Sequence, residues 1–390
     1  MLGIFLLILF TVSLHNWFYF EYWYEGKEIN QVFSVRNIKE NYVWLQNALG
    51  QKISIYRSNL PENIALYSQI RIQGQLFKIA KMNEYFQSNN LFYTVKISQL
   101  QMLDSWINIR EKFFNYYLNQ QQGYQTLIIP LVFGHSVESK NVVIQQLSQL
   151  GIIHLIVVSG LHFGTIYLFI NMIFRRFKQK WLILIIAISI YFWFVKDSVS
   201  VYKIYLFILI KEICQKFFSN RYNPYKNLLA ISLLYLLFNP LSVLSIGYWI
   251  SYVLTFGLLL YNVQKQKWNN TSKLQKFLGY LKIYFYSWIL ASCIVIVFNQ
   301  KLNLLSLLLT TILTPIFQIL LITFFLFFPF WFIVVPISNL TIDFLNLFRN
   351  FILLININGK WYWYSFLVFD YFFILKLSLL NKKCIIKTWY

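Results

Sequence analysis

Charged residues are scarce in this chain of 390 residues, and acidic residues are the scarcest of them. Charged residues make up 12% of the sequence, with 13 Asp and Glu against 34 Lys and Arg, whereas 58% of the residues are hydrophobic and 21% are aromatic. Soluble globular domains carry about 25% charged residues. The composition therefore excludes an ordinary soluble protein and predicts a polytopic α-helical membrane protein.

Cysteine and histidine are also rare, with three and four copies in the whole chain. The cysteines are odd in number and far apart, which excludes a disulfide framework and a thiolate metal centre. Four histidines do not favour a metal site, and the sequence predicts no cofactor. The chain also lacks a Gly-x-x-x-x-Gly-Lys-Ser/Thr loop, so nothing in it predicts nucleotide hydrolysis.

The formal net charge of +21 points to anionic partners. In a membrane protein, an excess of Lys and Arg first indicates cytoplasmic loops that face anionic lipid. Nucleic acid is the second interpretation.

The N-terminal third of the chain divides into three predicted segments. Residues 1–20 are apolar over about the length of a spanning helix and lack a cleavage site, which predicts an uncleaved membrane anchor. Residues 21–103 contain short alternating runs near 31–37, 42–46, 52–57, 66–80 and 91–99, which predict a small five-stranded β-barrel of OB type, although other small β folds fit almost as well. Residues 104–122 have the aromatic, amphipathic pattern of a helix that lies along the membrane surface.

The predicted β domain contains candidate contacts to a nucleic acid. Arg71, Lys78, Lys81 and Lys96, with nearby aromatic residues, would supply phosphate contacts and base stacking. The region from 21 to 122 has eleven basic and eight acidic residues, so it is not a strongly basic module. An ordinary solvated strand face is the competing interpretation.

The remainder of the chain is predicted to form the membrane core, over residues 123–380, followed by a basic tail over residues 381–390. Apolar segments predict about ten spans including the anchor, and Pro315 and Pro329 suggest broken or re-entrant helices. The loops 175–180, 211–226 and 265–282 are rich in Lys and Arg and should be cytoplasmic. This orientation places the β domain outside the cytoplasm, in a multi-pass protein of the cell membrane.

The segment from Gly151 to Gly164 carries two histidines and a serine in otherwise apolar surroundings. Polar groups at such a depth are costly and are usually functional. On a continuous helix, His154, Ser159 and His162 would share one face, which would look into a wet cavity, while Gly160 and Gly164 would pack against a neighbouring helix. The alternative is that each histidine only makes a hydrogen bond to a backbone carbonyl of an adjacent helix.

The same segment resembles the signature of the ComEC family of competence proteins. That signature reads Gly-x-x-His-Leu, two or three small or apolar residues, and Ser-Gly-Leu-His, and here it ends at Ser159, Gly160, Leu161 and His162. The stretches 239–252 and 303–315 resemble two further family segments. Lys203 stands where the family usually has Arg, and Trp249 stands where it usually has Gln, close to the retained Ser251.

The resemblance implies a membrane channel that imports single-stranded DNA across the cytoplasmic membrane during natural transformation. Membrane lipids surround such a channel, a separate DNA receptor supplies the strand, and a cytoplasmic ATPase or helicase supplies the force. No histidine follows His162, so the nuclease associated with many family members is expected to be a separate protein. The expected channel-lining set is His154, Ser159, Gly160, Leu161, His162, Lys203 and Ser251, and a homo-oligomer is one arrangement that the sequence allows.

Three other functions compete with DNA import. A transporter of a smaller solute would use the same broken helices and polar site at mid-membrane. A degenerate family member would no longer transport. An intramembrane hydrolase would use Ser159 with His162, but the sequence offers no acidic residue nearby to orient the imidazole, so we expect no enzyme activity.

Overall fold

A computed structural model describes residues 23–61, 64–79, 86–87, 89–103, 108–120, 123–135, 141–217, 222–265, 273–299, 301–350 and 352–356. The predicted anchor over residues 1–20, the predicted tail over residues 381–390 and Lys81 lie outside these residues. The described residues form an N-terminal β-barrel and a helical core, in that order along the chain.

The N-terminal strands close into a five-stranded barrel in the order β1-β2-β3-β5-β4. Every predicted run of alternating residues overlaps one of these strands. The pairing is antiparallel except between β3 and β5, which run parallel. The strands are β1 (Glu28–Ile38), β2 (Tyr42–Asn47), β3 (Lys52–Tyr56), β4 (Gln69–Lys78) and β5 (Leu91–Leu103).

The long first strand closes the barrel because it pairs with β2 at one end and with β4 along the other. Its register with β2 shifts between Val35 and Asn37, which bends the strand around the barrel. Alternate residues point inward, and Phe33, Ile53 and Ile70 are fully buried.

Gly74 is required where β4 and β5 approach each other most closely. The register of this pair shifts between Gln73 and Gly74, and a Cβ atom on Gly74 would collide with the backbone carbonyl of Lys96. A residue without a side chain is therefore needed at this bulge.

Two short helical segments connect the barrel to the core. Helix α1 (Ile109–Gln120) leads into a π-helical turn (Tyr124–Ile128) and then into α2 (Ile129–Phe133), which is wholly buried. One face of α1 packs against the core, where Phe114 is fully buried and contacts Phe133, and its location along the membrane surface stays a prediction. Gly134 ends α2 at a φ of 75°, the left-handed conformation that glycine adopts most readily at a helix C-terminus.

A core of apolar helices follows the barrel along the chain. Two segments of the described chain, Ile153–Ile173 and Ser306–Phe327, are long and apolar enough to cross a membrane. The predicted total of about ten spans stays a prediction. The core helices are α3 (Val142–Gln149), α4 (Gly160–Ile173), α5 (Lys180–Phe194), α6 (Val199–Phe217), α7 (Pro224–Phe238), α8 (Ile246–Lys265), α9 (Lys273–Asn299), α10 (Ser306–Phe327) and α11 (Trp331–Asn346).

Proline marks only one of the predicted helix breaks. Helix α10 runs through Pro315, so this proline does not end a segment as the sequence predicts. Pro329 does lie in the turn between α10 and α11. A two-stranded sheet, β6 (Lys301–Asn303) with β7 (Leu354–Asn356), follows α9 and brings the end of the described chain back to the start of α10.

Tyr67 fastens the barrel to the helical core. Its hydroxyl lies 2.9 Å from Nε2 of His135, and its backbone carbonyl accepts a hydrogen bond of 2.6 Å from the Asn108 side chain. The Arg110 guanidinium lies 3.7 Å from the centre of the Tyr67 ring. Tyr67 has a φ of 68°, a left-handed conformation that costs about 1–2 kcal/mol for a residue with a side chain. The surrounding contacts offset this strain, so the barrel has one defined orientation on the core.

The substitution Tyr67→Phe should loosen the barrel from the core without unfolding either. It removes the hydroxyl beside the buried His135, so we expect a loss of about 1 kcal/mol in the free energy of unfolding. Thermal unfolding in detergent, with limited proteolysis of the segment between barrel and core, measures the effect. Tyr56→Phe is the matched control because Tyr56 is 63% exposed. Equal behaviour of the two variants would show that the hydroxyl of Tyr67 contributes nothing.

Candidate functional site

The segment from Gly151 to Gly164 is not one continuous helix, which corrects the sequence prediction. A 3₁₀ turn covers Ile153–Leu155, the chain is then irregular up to Ser159, and α4 begins at Gly160. A single helical face shared by His154, Ser159 and His162 is therefore wrong.

Ser159 and His162 form the N-terminal cap of α4. The Ser159 hydroxyl accepts a hydrogen bond of 3.3 Å from the Leu161 backbone N–H, and the Nδ1 atom of His162 accepts one of 3.3 Å from the Ser159 backbone N–H. This is the reciprocal pattern of a capping box, with histidine in the place usually held by Glu or Gln. The first N–H groups of a helix have no partner within the helix, and unpaired ones are costly in apolar surroundings.

The imidazole of His162 supplies this cap without a buried charge. Its side chain is only 3% exposed, and with Nδ1 as an acceptor the ring is in the neutral form that carries its proton on Nε2. Nε2 is buried without a hydrogen-bond partner in the described chain. The Ser159 hydroxyl also lies 3.3 Å from Nδ1 of His162, so the pair is brought together, and its contacts to the backbone are those of a helix cap.

His154 lies in different surroundings from His162. It occupies the 3₁₀ turn before the cap, where its residue is exposed on the protein surface. Leu161, another member of the predicted channel-lining set, is 39% exposed at the first turn of α4.

The predicted packing face of Gly160 and Gly164 is absent. A Cβ atom on Gly160 would make ordinary contact with Ile204 at 3.9 Å, and one on Gly164 would meet nothing within 4 Å. Close backbone approach requires that a Cβ atom be excluded, and neither glycine meets that condition. Gly160 instead occupies the first position of α4.

Lys203 and Ser251 come together from different helices, as the predicted site requires. Lys203 on α6 is 5% exposed, and its ammonium group donates to the Ser251 backbone carbonyl at 2.6 Å and to the Thr255 hydroxyl. The Ser251 hydroxyl accepts a hydrogen bond of 3.1 Å from Ser200. Within the described chain, no ion pair joins Lys203 to a carboxylate. A polar strip therefore runs between α6 and α8 around a buried ammonium group.

Glu212 pairs with Lys211 and Tyr167 rather than with Lys203. Its carboxylate lies 4.0 Å from the Lys211 ammonium and accepts a hydrogen bond of 2.6 Å from the Tyr167 hydroxyl. Glu212 thus has its cationic partner in Lys211, whereas Lys203 has only neutral partners in the described chain.

The basic residues predicted on the barrel do not form one cluster. Arg71, Lys78 and Lys96 are exposed, but Arg71 pairs with Gln101 at one end of the β4–β5 ribbon and Lys78 pairs with Tyr93 at the other. Lys96 lies beside aromatic residues. It lines a shallow groove together with Tyr56, Asn59, Phe77, Thr94 and Val95.

Asn303 is a structural residue that the sequence predictions overlooked, although it begins one of the family-like segments. It is 3% exposed, its amide donates to the Leu150 carbonyl at 3.2 Å, and its side-chain oxygen accepts from Leu305 and Leu353. One side chain thus joins the end of α3 to the turns beside β6 and β7.

Comparison with known families identifies the chain. The family model for competence proteins matches residues 131–380, which is well over half of the sequence. The chain belongs to the competence protein family. This is a family of membrane proteins with a role in DNA uptake during competence, and the match agrees with the ComEC-like signature at the cap of α4. Neither the curated proteins nor the solved structures contain a match to this competence protein.

Functional candidates also lie at a place that sequence patterns did not single out. Arg36, Arg110, Lys196 and Asp197 meet where the barrel contacts the core of this competence protein. They come from three parts of the sequence: Arg36 lies on β1, Arg110 lies on α1, and Lys196 and Asp197 are neighbours in the turn between α5 and α6.

The substitution Ser159→Ala should destabilise this competence protein by about 1 kcal/mol, because loss of an N-cap side chain typically costs that much. His162→Ala should cost more, since it also leaves a cavity, whereas His162→Gln keeps an acceptor at the third helical position. Unfolding in mixed micelles measures these differences. Similar stabilities for His162→Gln and His162→Ala would contradict the capping role.

Proposed function

We propose that the chain is a channel that imports single-stranded DNA across the cytoplasmic membrane during natural transformation. The competence family match supports the biological process, and the polar strip around Lys203 supports a path through the core. The protein is then a multi-pass protein of the cell membrane, with the barrel outside the cytoplasm.

The surroundings of Lys203 are the observation that carries this proposal. A buried ammonium group without a carboxylate partner is costly, and in a membrane core such groups usually mark a substrate path. A strand of DNA carries one negative charge for each nucleotide, so its path needs cations or hydrogen-bond donors. Lys203, with the hydroxyl groups of Ser200 and Thr255, supplies both.

The barrel supports the proposal as a binding module of OB type. Its strand order and its parallel β3–β5 pair suit that fold, which commonly binds single strands. The groove beside Lys96 combines one cation with Tyr56 and Phe77, and successive bases stack on aromatic rings in this manner. Arg71, Lys78 and Lys81 would extend the contacts to phosphate groups.

DNA import of this kind also needs three separate components. A separate DNA receptor delivers the strand, a cytoplasmic ATPase or helicase pulls it, and a separate nuclease degrades the complementary strand. The basic loops after α4, α6 and α8 would face the cytoplasm and the anionic lipid of its leaflet.

Uptake of labelled DNA into a compartment protected from external nuclease tests the proposal. Disruption of the gene should abolish protection, and Lys203→Met should reduce it at least about tenfold, since one ion contact in apolar surroundings is worth more than about 1.4 kcal/mol. Lys203→Met removes the charge and keeps a similar length.

Lys178→Met is the matched control, because Lys178 is exposed on the turn between α4 and α5. The amount of each variant in the membrane is measured in parallel. Normal uptake after gene disruption would overturn DNA import and favour a transporter of a smaller solute or a member that no longer transports. Normal uptake by Lys203→Met alone would remove Lys203 from the path.

The barrel groove makes a separate prediction. Tyr56→Ser should weaken binding of an oligothymidine about five- to tenfold, because stacking of one base on an aromatic ring is worth about 1–3 kcal/mol. Fluorescence anisotropy with the purified protein measures the affinity. Tyr116→Ser is the control, since Tyr116 is 61% exposed on α1, outside the groove. Equal affinities for the two variants would exclude stacking on Tyr56.

A further inference from the structure

Basic side chains gather where the barrel meets the helical core. They come from β1, β3, α1 and the turn between α5 and α6, and they influence one another electrostatically. The carboxylate of Asp197 lies among them. We call this set the junction cluster; it consists of Arg36, Lys39, Lys52, Arg110, Lys196 and Asp197.

Asp197 is held too loosely to satisfy these cations. Its carboxylate lies 3.8 Å from the Arg36 guanidinium and accepts a hydrogen bond of 3.4 Å from the Tyr202 hydroxyl. Charge-assisted hydrogen bonds are typically about 2.7–2.9 Å long. Its side chain is 45% exposed, so water and solutes reach it. The Asp197 carboxylate thus makes only long contacts within the described chain.

Two guanidinium groups of the cluster keep unused donors. Arg110 is 8% exposed and donates to the Val195 carbonyl at 2.9 Å, but its Nε atom is buried without an acceptor in the described chain. The Nε atom of Arg36 is also buried without an acceptor in the described chain. Buried donors without partners are rare in proteins because each one is costly. An acceptor on a ligand would satisfy these donors, and the positive charge around them favours an anion.

The aromatic ring beneath the junction cluster, that of Tyr67, is held in one position. Tyr67 lies under the Arg110 guanidinium, is fixed by His135 and Asn108, and holds a left-handed backbone conformation. Burial keeps the pKa of His135 well below its usual range, so His135 adds no charge of its own. The guanidinium is therefore positioned before any ligand arrives, which lowers the entropy lost on binding.

Lys196 makes the cluster sensitive to pH. The pKa of Lys196 is lowered to about 8, mainly by burial and also by the Lys39 ammonium, while Asp197 opposes the shift. The other titratable groups at this place are Lys52, whose pKa is also lowered by burial, the hydroxyl of Tyr67, whose pKa burial raises, and the hydroxyl of Tyr202.

We propose that the junction cluster binds a phosphodiester group of the incoming single strand and that Asp197 is the resident counterion which the phosphate displaces. This inference rests on the proposed function and adds a defined phosphate site to it. A phosphodiester carries one negative charge and accepts two hydrogen bonds in the fork geometry of a guanidinium.

The position of the cluster favours a strand over a lipid headgroup. Asp197 lies in the turn just before α6, and Lys203 follows six residues later on that helix. A phosphate bound at the junction cluster would therefore lie at the start of the helix that carries the buried ammonium of Lys203.

Binding of a fluorescein-labelled oligothymidine to the purified full chain tests the inference. Asp197→Asn removes the competing carboxylate and should tighten binding about three- to tenfold. Arg36→Gln and Lys196→Gln should weaken it by a similar factor, and the slope of log affinity against log salt should fall by about 0.7 for each phosphate contact that is lost. Arg175→Gln, an exposed charge on the turn after α4, is the matched control.

The pH dependence supplies an independent readout. A bound phosphate favours the charged form of Lys196, so affinity should be highest below pH 8 and should fall about three- to tenfold as pH rises through the pKa of about 8. Lys196→Arg keeps its charge over this range and should bind with little dependence on pH. Thermal unfolding of each variant separates lost binding from lost folding.

The outcomes distinguish the inference from the proposed function. If Asp197→Asn binds no tighter than the parent chain while it folds normally, Asp197 is part of a structural lock and the counterion exchange is wrong. If the parent chain binds oligothymidine but all junction variants equal Arg175→Gln, only the phosphate site fails. If the parent chain binds no oligonucleotide, the proposed function fails with it.

A lipid headgroup is tested in nanodiscs. The parent chain and Lys196→Gln are compared in zwitterionic discs and in discs that contain phosphatidylglycerol. Stabilisation of the parent chain by the anionic lipid, lost in Lys196→Gln without any change in oligonucleotide affinity, would assign the junction cluster to lipid and overturn the inference.

Discussion

The interrupted segment before α4 depends on one constraint, which is that a helix beginning inside an apolar core must find partners for its first N–H groups. Ser159 and His162 meet that need with a neutral cap, and the irregular chain before them lets α2, α3 and α4 pack within one apolar core. The cap also explains the spacing in the signature, since the two side chains must lie three positions apart to satisfy each other. A motif that resembles a reactive pair is therefore also the way in which this fold starts a helix.

The charged groups of the core differ in whether they have a partner of opposite charge. Glu212 is satisfied by Lys211 and Tyr167, whereas Lys203 has only neutral partners in the described chain. The junction cluster differs from an ordinary ion-pair network, because several cations lie around the loosely held carboxylate of Asp197. Fully paired groups hold helices together, and incompletely paired groups retain the capacity to bind something else.

Local patterns in the sequence predicted the parts of this molecule that local physics decides. Alternating residues indicated all five strands, and the family resemblance identified Ser159, His162, Lys203 and Ser251, which the fold brings into two pairs. The helical face of His154 and the packing of Gly160 and Gly164 were wrong, since a backbone break at 156–158 changes the direction of the chain and is not encoded by hydrophobicity alone. The junction cluster was out of reach because it joins residues more than a hundred positions apart through tertiary contacts.

Closure of the barrel through the β1–β4 pair also limits how it can recognise a partner. An open sheet offers a row of free backbone groups to which an extended peptide can add as a further strand, and that mode of binding depends on an unpaired edge. The five-stranded barrel has its strands paired in a ring. Recognition on its surface must consequently rely on side chains that project from the strands and turns. Such side chains select a ligand by its charge and by the planarity of its groups, and they tolerate changes in the sequence of its units.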